Sequence, residues 1–467
     1  MRAWWRPQFE GGGANQNGPK PCAQKAILRS FRPCYRVQPT QLVMRSCRRG
    51  QRSSTDANDI AALSCVVSEA PVRGMRILHS YKIYYPDVFG GIPEVIAALV
   101  VGMQRRAESS VLVARQRGWR RLLHVDGAPV EAVASIGQLF SMPLAPAFPF
   151  VLKQRARKAD VVAVHQPFPL NDLGVTLGLP ASAALVVHWH ADIVAQRWLA
   201  PAMAHFVGRT LARAQRIILS DDSILRCSRA LEPHQHKCAV VPFGVDCEYW
   251  GTLDREQVQR IEQLRAAHPR LIVSSSRLVG YKGLDVLIHA LRGVDAHLII
   301  VGQGPLRETL AVTARSLGVD RRITFAGAVP REELKVYLHA ARVFAFPSVS
   351  AAETFGISQL EAMAVGLPVV NTALSTGVPR VARHGLEALT VPPRDHEKLA
   401  EALSHLLAHP DLAVRLGSAG RMRAAQEYPR SRFVAAIERI YGEAVAALLG
   451  SAAQRQETRM RARGAEE

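Results

Sequence analysis

From residue 75 onward, short apolar runs alternate with longer amphipathic stretches. The runs at 76–80, 110–113, 160–165, 184–188, 216–220 and 238–241 are rich in Val, Ile and Leu, and they read as strands buried on both faces. Helical periodicity stands between them, as where Val95, Ile96, Leu99 and Val100 fall on one face. The same rhythm resumes after residue 254, with strands at 271–275, 297–301, 323–325 and 344–346 and a helix over 332–341. Such alternation predicts parallel α/β sheets. Pro242-Phe243-Gly244-Val245-Asp246 interrupts the pattern, so the expected domains are 75–242 and 243–428. Further helices are expected at 395–408, 411–426 and 429–450, the last carrying Phe433, Ile437, Ile440, Val445 and Leu448. Residues 451–467 read as a polar tail.

The first 74 residues lack this rhythm. They are rich in Arg, Gly, Pro and Ser and carry a net charge of +8. They read as a disordered or foreign extension, with Met75 as a candidate start; an Arg-rich targeting leader is the alternative. The whole chain has a net charge of +20, which invites nucleic acid, an anionic membrane or phosphorylated substrates. No zinc-finger or RNA-binding motif supports nucleic acid. Seven cysteines without a C-x-x-C pair argue against a disulfide framework or a zinc site and fit a reducing cytoplasm. No apolar run reaches the roughly 18 residues of a membrane span. Phe148-Pro149-Phe150-Val151-Leu152 does run into Lys153, Arg155, Arg157 and Lys158. That is either a surface for anionic lipid or a helix with a solvated basic face.

The densest candidate chemistry lies in 348–370, SVSAAETFGISQLEAMAVGLPVV. Glu353 stands in a loop and Glu361 in the following helix, which starts near Gly356 and ends at Gly366 and Pro368. The free amides of Phe355, Gly356 and Ile357 at the helix start favour an anion, and Gly356 would let a phosphate approach closely. Arg277 and Lys282 share a glycine-bearing loop after a strand, from which both can reach one diphosphate. Gly90-Gly91 form a turn between a strand and a helix. His188-Trp189-His190 end a strand, where side chains face the crevice of an open sheet. Two histidines at that spacing hint at a metal, but no third ligand is evident nearby.

Together these segments resemble glycosyltransferase family 4, from about residue 75 to 449. The resemblance rests on the E-x7-E pair Glu353 and Glu361, the Arg277/Lys282 loop, the H-x-D-I sequence at His190, Gly90-Gly91, and a link similar to P-N-G-V-D with Phe243 in place of Asn. It implies an α/β GT-B fold: two Rossmann-like domains facing a cleft, with a C-terminal helix returning to the first. It further implies a retaining transferase that moves a hexose, mannose or rhamnose favoured, from a nucleotide-diphosphate sugar to a saccharide or lipid-linked saccharide in cell-surface polysaccharide (lipopolysaccharide) synthesis. By the match, Glu353 holds sugar hydroxyls, His190 lines the anomeric region and Glu361 holds the ribose. Arg277 and Lys282 take the diphosphate with Phe355, Gly356 and Ile357, Gly90-Gly91 lie against it, and the loop bearing Val329 flanks the nucleotide. No cofactor or metal is expected, nucleic acid is not expected as a partner, and the implied location is the cytoplasm at the inner membrane face. The rivals are a sugar-nucleotide 2-epimerase of the same architecture and a non-catalytic sugar-nucleotide binding protein.

Overall fold

The structure is a computed structural model that describes residues 74–87, 90–139, 142–191 and 200–463. The expected extension before Met75, and Asp192 and Ile193 of the H-x-D-I sequence, lie outside the described residues.

Among the described residues, ten strands form the first half: β1 (Met75–Ser80), β2 (Ala107–Ala114), β3 (Arg121–Val125), β4 (Ala128–Val133), β5 (Gln138–Leu139), β6 (Met142–Pro143), β7 (Val161–Gln166), β8 (Ala184–Trp189), β9 (Arg216–Leu219) and β10 (Cys238–Val240). Eight make one sheet in the order β10-β9-β8-β7-β1-β2-β4-β3, and β5 pairs only with β6. All pairs in the large sheet are parallel except β3 with β4. Every residue of β7 and β8 is buried, as expected for central strands covered by helices on both faces. Each Val or Leu so buried contributes about 1.5–3 kcal/mol, so a charge at Val186 would break this layer.

The second half holds β11 (Leu271–Ser275), β12 (His297–Val301), β13 (Ile323–Gly327), β14 (Val343–Phe346), β15 (Val369–Thr372) and β16 (Ala388–Val391). They form one parallel sheet, β13-β12-β11-β14-β15-β16.

Three expectations change. Residues after β2 were expected to be helical, yet they form the β3–β4 hairpin. Its turn is Asp126-Gly127, with φ 52° and 80°, the geometry that Asp-Gly supplies in two-residue hairpins. The strand β16 (Ala388–Val391) is not among the expected strands. The final helix, expected to stop near 450, runs Arg430–Arg463. Its last stretch is polar but rich in Ala, Gln, Arg, Met and Glu, with no proline, so nothing in it ends a helix.

The chain crosses between halves twice, and the crossings lie side by side. The Val245 amide donates to Tyr428 O at 2.8 Å and the Arg430 amide donates to Val245 O at 3.0 Å. Past this point the final helix packs on the first half. The Tyr441 hydroxyl meets His188 Nε2 at 2.7 Å, and Arg106 pairs with Glu438 at 2.8 Å.

Candidate active site

In open α/β sheets ligands bind beyond the strand C-termini, where strand order reverses. The reversals here are at β1/β7 and β11/β14. The loops after these strands carry nearly all the candidate residues.

In the second half, Gly283 follows the Arg277–Lys282 loop with φ 64°. A Cβ there would lie 2.1 Å from Pro347 O, so only glycine permits the two loops to meet. The Val349 amide then donates to Tyr281 O at 2.8 Å. This approach delivers Lys282 Nζ into an ion pair with Glu353 Oε2, which also accepts from Ser348 Oγ at 3.1 Å. The two side chains are 13% and 10% exposed. Burial works against the Lys282 ammonium, but the Glu353 carboxylate and Tyr281 outweigh it and hold its pKa above the usual range. Lys282, expected with Arg277 at a diphosphate, also pairs with Glu353. Arg277 is exposed and makes no ion pair among the described residues.

Glu361 lies in the helix Ile357–Ala364, whose N-cap is Gly356 at φ 86°. A Cβ on Gly356 would sit 2.8 Å from the Phe346 ring. That ring and the backbone angle are by themselves enough to require the glycine. The first-turn amides of this helix, Ile357 included, are left unpaired by the helix itself, while the Phe355 side chain is buried against Phe243. Underneath, Asn371 Nδ2 donates to Gln359 Oε1 at 3.2 Å, and Asn371 Oδ1 accepts from Thr390 Oγ1 at 2.7 Å. This buried network fixes the helix and with it the spacing of Glu353 and Glu361. Burial, with Glu94 nearby, pushes the Glu361 carboxyl up to about 8 against the pull of Arg331 and Arg430. Arg331 itself pairs with Glu94 at 3.0 Å, joining the two halves. Glu94, Arg331, Ile357, Glu361 and Arg430 line one small pocket. Val329, partly buried after β13, precedes it.

In the first half, Gly90 and Gly91 have φ 83° and 65°, and the space above both is open. Glu94 follows on the helix Ile92–Met103. The strand ends hold more histidine than expected. His165 stands at the end of β7, between His188 and His190, so the third ligand judged absent from the sequence is present. The ligating nitrogens of these three lie within 4.8 Å of one another. Their rings are stacked, 18° and 8° from parallel for His165 with His188 and His190. Lone pairs of stacked rings lie in separate planes, so one ion could be shared only after a ring turned. Hydrogen bonds use the nitrogens instead: His165 Nδ1 meets His190 Nε2 at 3.0 Å, and His165 Nε2 meets His79 Nδ1 at 3.3 Å. Burial pushes His79 down to about 4 and His190 to about 3, and holds His165 and His188 well below the ordinary imidazole value. Thr354 Oγ1 donates to His190 O at 3.0 Å, bringing His190 beside the Glu353 loop.

The fold therefore joins Lys282 with Glu353, His190 with that loop, and Glu361 with Arg331 and Glu94. Sequence reasoning missed His79, His165, Glu94 and Arg331. The signal available was position: each ends a strand or starts the helix after one.

The basic segment 153–158 is partly spent inside the protein. Lys153 Nζ donates to Leu177 O at 2.9 Å, and Arg155 pairs with Glu131 at 2.6 Å. Phe150 is 64% exposed. Among the described residues no helix is long and apolar enough to cross a membrane.

Residues 256–423 match the family model for glycosyl transferases group 1, and residues 90–244 match that for a glycosyl transferase 4-like domain. The D-rhamnosyltransferase WbpZ of Pseudomonas aeruginosa is 30% identical over 75% of this chain and 92% of its own. The O-antigen chain mannosyltransferase C of Escherichia coli is 30% identical over 79% of this chain and 98% of its own. Among solved structures, Anabaena HepE in complex with UDP-glucose superimposes with a TM-score of 0.63 at 20% identity, covering 81% of this chain and 100% of HepE.

Proposed function

This chain belongs to the family 4 type of GT-B glycosyltransferases, and on that premise we propose that it is a retaining transferase. Its donor is a nucleotide-diphosphate hexose, mannose or rhamnose, and its acceptor a saccharide, lipid-linked, in cell-surface polysaccharide synthesis. The observation that carries this reading is the convergence of the Lys282–Glu353 pair, Arg277 and His190 at the meeting strand ends of both sheets. The similarity to a rhamnosyltransferase and a mannosyltransferase supports the choice of sugar.

The leaving group is a nucleoside diphosphate, which must be stabilised as negative charge grows on its bridging oxygen. Arg277 and the amides at the start of the helix Ile357–Ala364 face that charge, so the reading requires no bound metal. Glu353, oriented by Lys282 and Ser348, accepts from sugar hydroxyls. His190 stays neutral beside the anomeric carbon. Glu361 takes the ribose hydroxyls. The acceptor hydroxyl attacks from the leaving-group side and its proton passes to the departing phosphate oxygen, retaining configuration. Peripheral contact with an anionic membrane rests on exposed Phe150 and the neighbouring Arg157 and Lys158.

The test is release of nucleoside diphosphate by the full chain from GDP-mannose, GDP-rhamnose, UDP-glucose, UDP-galactose and UDP-GlcNAc, with a saccharide acceptor and a Glu353→Ala control. Release from a GDP-sugar, lost in the control, with retained anomeric configuration by NMR, is expected. Equal release by the control, or an epimerised sugar nucleotide in place of transfer, overturns the reading.

A further inference from the structure

Lys82 follows β1 at the point where the strand order of the first sheet reverses. Its backbone is tied down, since Lys82 O accepts from the Ala114 amide at 3.2 Å and the Tyr81 amide donates to Leu112 O at 3.1 Å. The side chain is partly buried, with Nζ 5.8 Å from the centre of the Tyr81 ring. Arg277 comes from the corresponding place in the second sheet, after β11 beside its own reversal. The two cations act on each other across the cleft: burial first, then the Arg277 charge, lowers the Lys82 ammonium to about 8. Arg277 also acts on the Tyr81 hydroxyl.

Neither Lys82 nor Arg277 pairs with a carboxylate among the described residues, whereas Lys282, five residues after Arg277, is neutralised by Glu353. Two unpaired cations at the strand ends of both reversals, Lys82 partly buried and Arg277 exposed, repel, and an anion between them removes that repulsion and gains two charge-assisted hydrogen bonds. We propose that Lys82 and Arg277 form a two-sided seat for a diphosphate, with Lys82 the cation contributed by the first half. This rests on the proposed function and adds to it a residue that none of the motifs contains. It also gives cleft closure a cause: the halves carry like charges there until the diphosphate arrives.

A diphosphate can come from the donor nucleotide or from a lipid diphosphate acceptor. The experiment uses the full chain, Lys82→Gln and Lys82→Arg. It measures affinity by calorimetry for GDP, UDP, guanosine, uridine and farnesyl diphosphate, and the thermal midpoint with and without each. Lys82→Gln is expected to bind the preferred nucleoside diphosphate about 10–100-fold more weakly, with nucleoside binding unchanged and Lys82→Arg recovering much of the loss. Its unliganded midpoint is expected to rise, because a repulsion is gone, while the gain on adding the nucleotide shrinks. Loss confined to farnesyl diphosphate would keep the seat and assign it to the acceptor. Unchanged affinity for every diphosphate that the wild-type chain binds overturns the seat and leaves the proposed function standing. A wild-type chain that binds no diphosphate overturns both.

Discussion

The two walls of the cleft use ionisable residues in opposite ways. The first wall buries four histidines, His79, His165, His188 and His190, and keeps them neutral in a chain of ring contacts. The second wall keeps its charges: Lys282 is locked to Glu353, Arg277 is unpaired, and Arg331 stands beside Glu361. The difference separates shape from electrostatics. Neutral imidazoles can surround an anomeric centre without adding charge, while most of the field that favours a departing diphosphate comes from the second wall, with Lys82 as the first wall's contribution, and is fixed before reaction.

The comparison breaks most visibly in acid. All four histidines have folded-state values below the free imidazole's ~6.5, so the unfolded chain takes up protons first. The stability they confer is complete above about pH 6.5 and is lost as pH falls toward their folded values. Each removes about 1.4 kcal/mol per pH unit in that window, and four together rival the 5–15 kcal/mol of a typical domain. Denaturant titrations from pH 7 to 4.5 should show the first half failing before the second; simultaneous loss would contradict the contrast.

The next effect tests the charged wall. Lys282→Ala leaves a buried carboxylate unpaired and should cost about 3–5 kcal/mol. Removing Glu353 as well should return part of that stability, since no orphaned charge remains. Unfolding midpoints of the two single variants and the double variant give the coupling, and additive losses would deny that the pair is one unit.

Glu361 should behave in the opposite sense to the histidines. Its folded value, pushed up to about 8, exceeds the ~4.3 of a free glutamate. Its contribution is therefore fully present below about pH 4.3 and lost as pH rises toward 8, at up to ~1.4 kcal/mol per unit. Glu361→Gln should flatten that slope; a slope identical to wild type would mean the carboxylate is ionised at neutral pH. The smallest effect is Tyr441→Phe, which removes the partner of His188 and should cost about 1 kcal/mol with donor KM unchanged, because His188 faces the returning helix.

Much of this was legible in the sequence for physical reasons. Central parallel strands such as β7 and β8 are apolar throughout, and short loops with fixed glycines, such as that holding Gly283, leave little freedom. The β3–β4 hairpin was legible too, in Asp126-Gly127, but the surrounding α/β rhythm masked it. What could not be read was which residues meet. His165 is separated from His190 by a strand and a helix, Lys82 from Arg277 by most of two domains, and Glu94 from Arg331 likewise. Single residues at strand ends carry no local periodicity. The pairing of Lys282 with Glu353 is likewise a product of two loops touching at Gly283 and Pro347.

Most of the field for the departing diphosphate comes from the second wall, with Arg277 as its unpaired cation. The most direct measurement is the rate of sugar transfer from the preferred donor in excess EDTA, for the wild-type chain and for Arg277→Ala. Wild-type turnover in EDTA is expected to be undiminished, with a loss of about 10²–10³-fold in the variant. Turnover that stops in EDTA and returns with Mg²⁺ or Mn²⁺, or an Arg277→Ala rate equal to wild type, would contradict it.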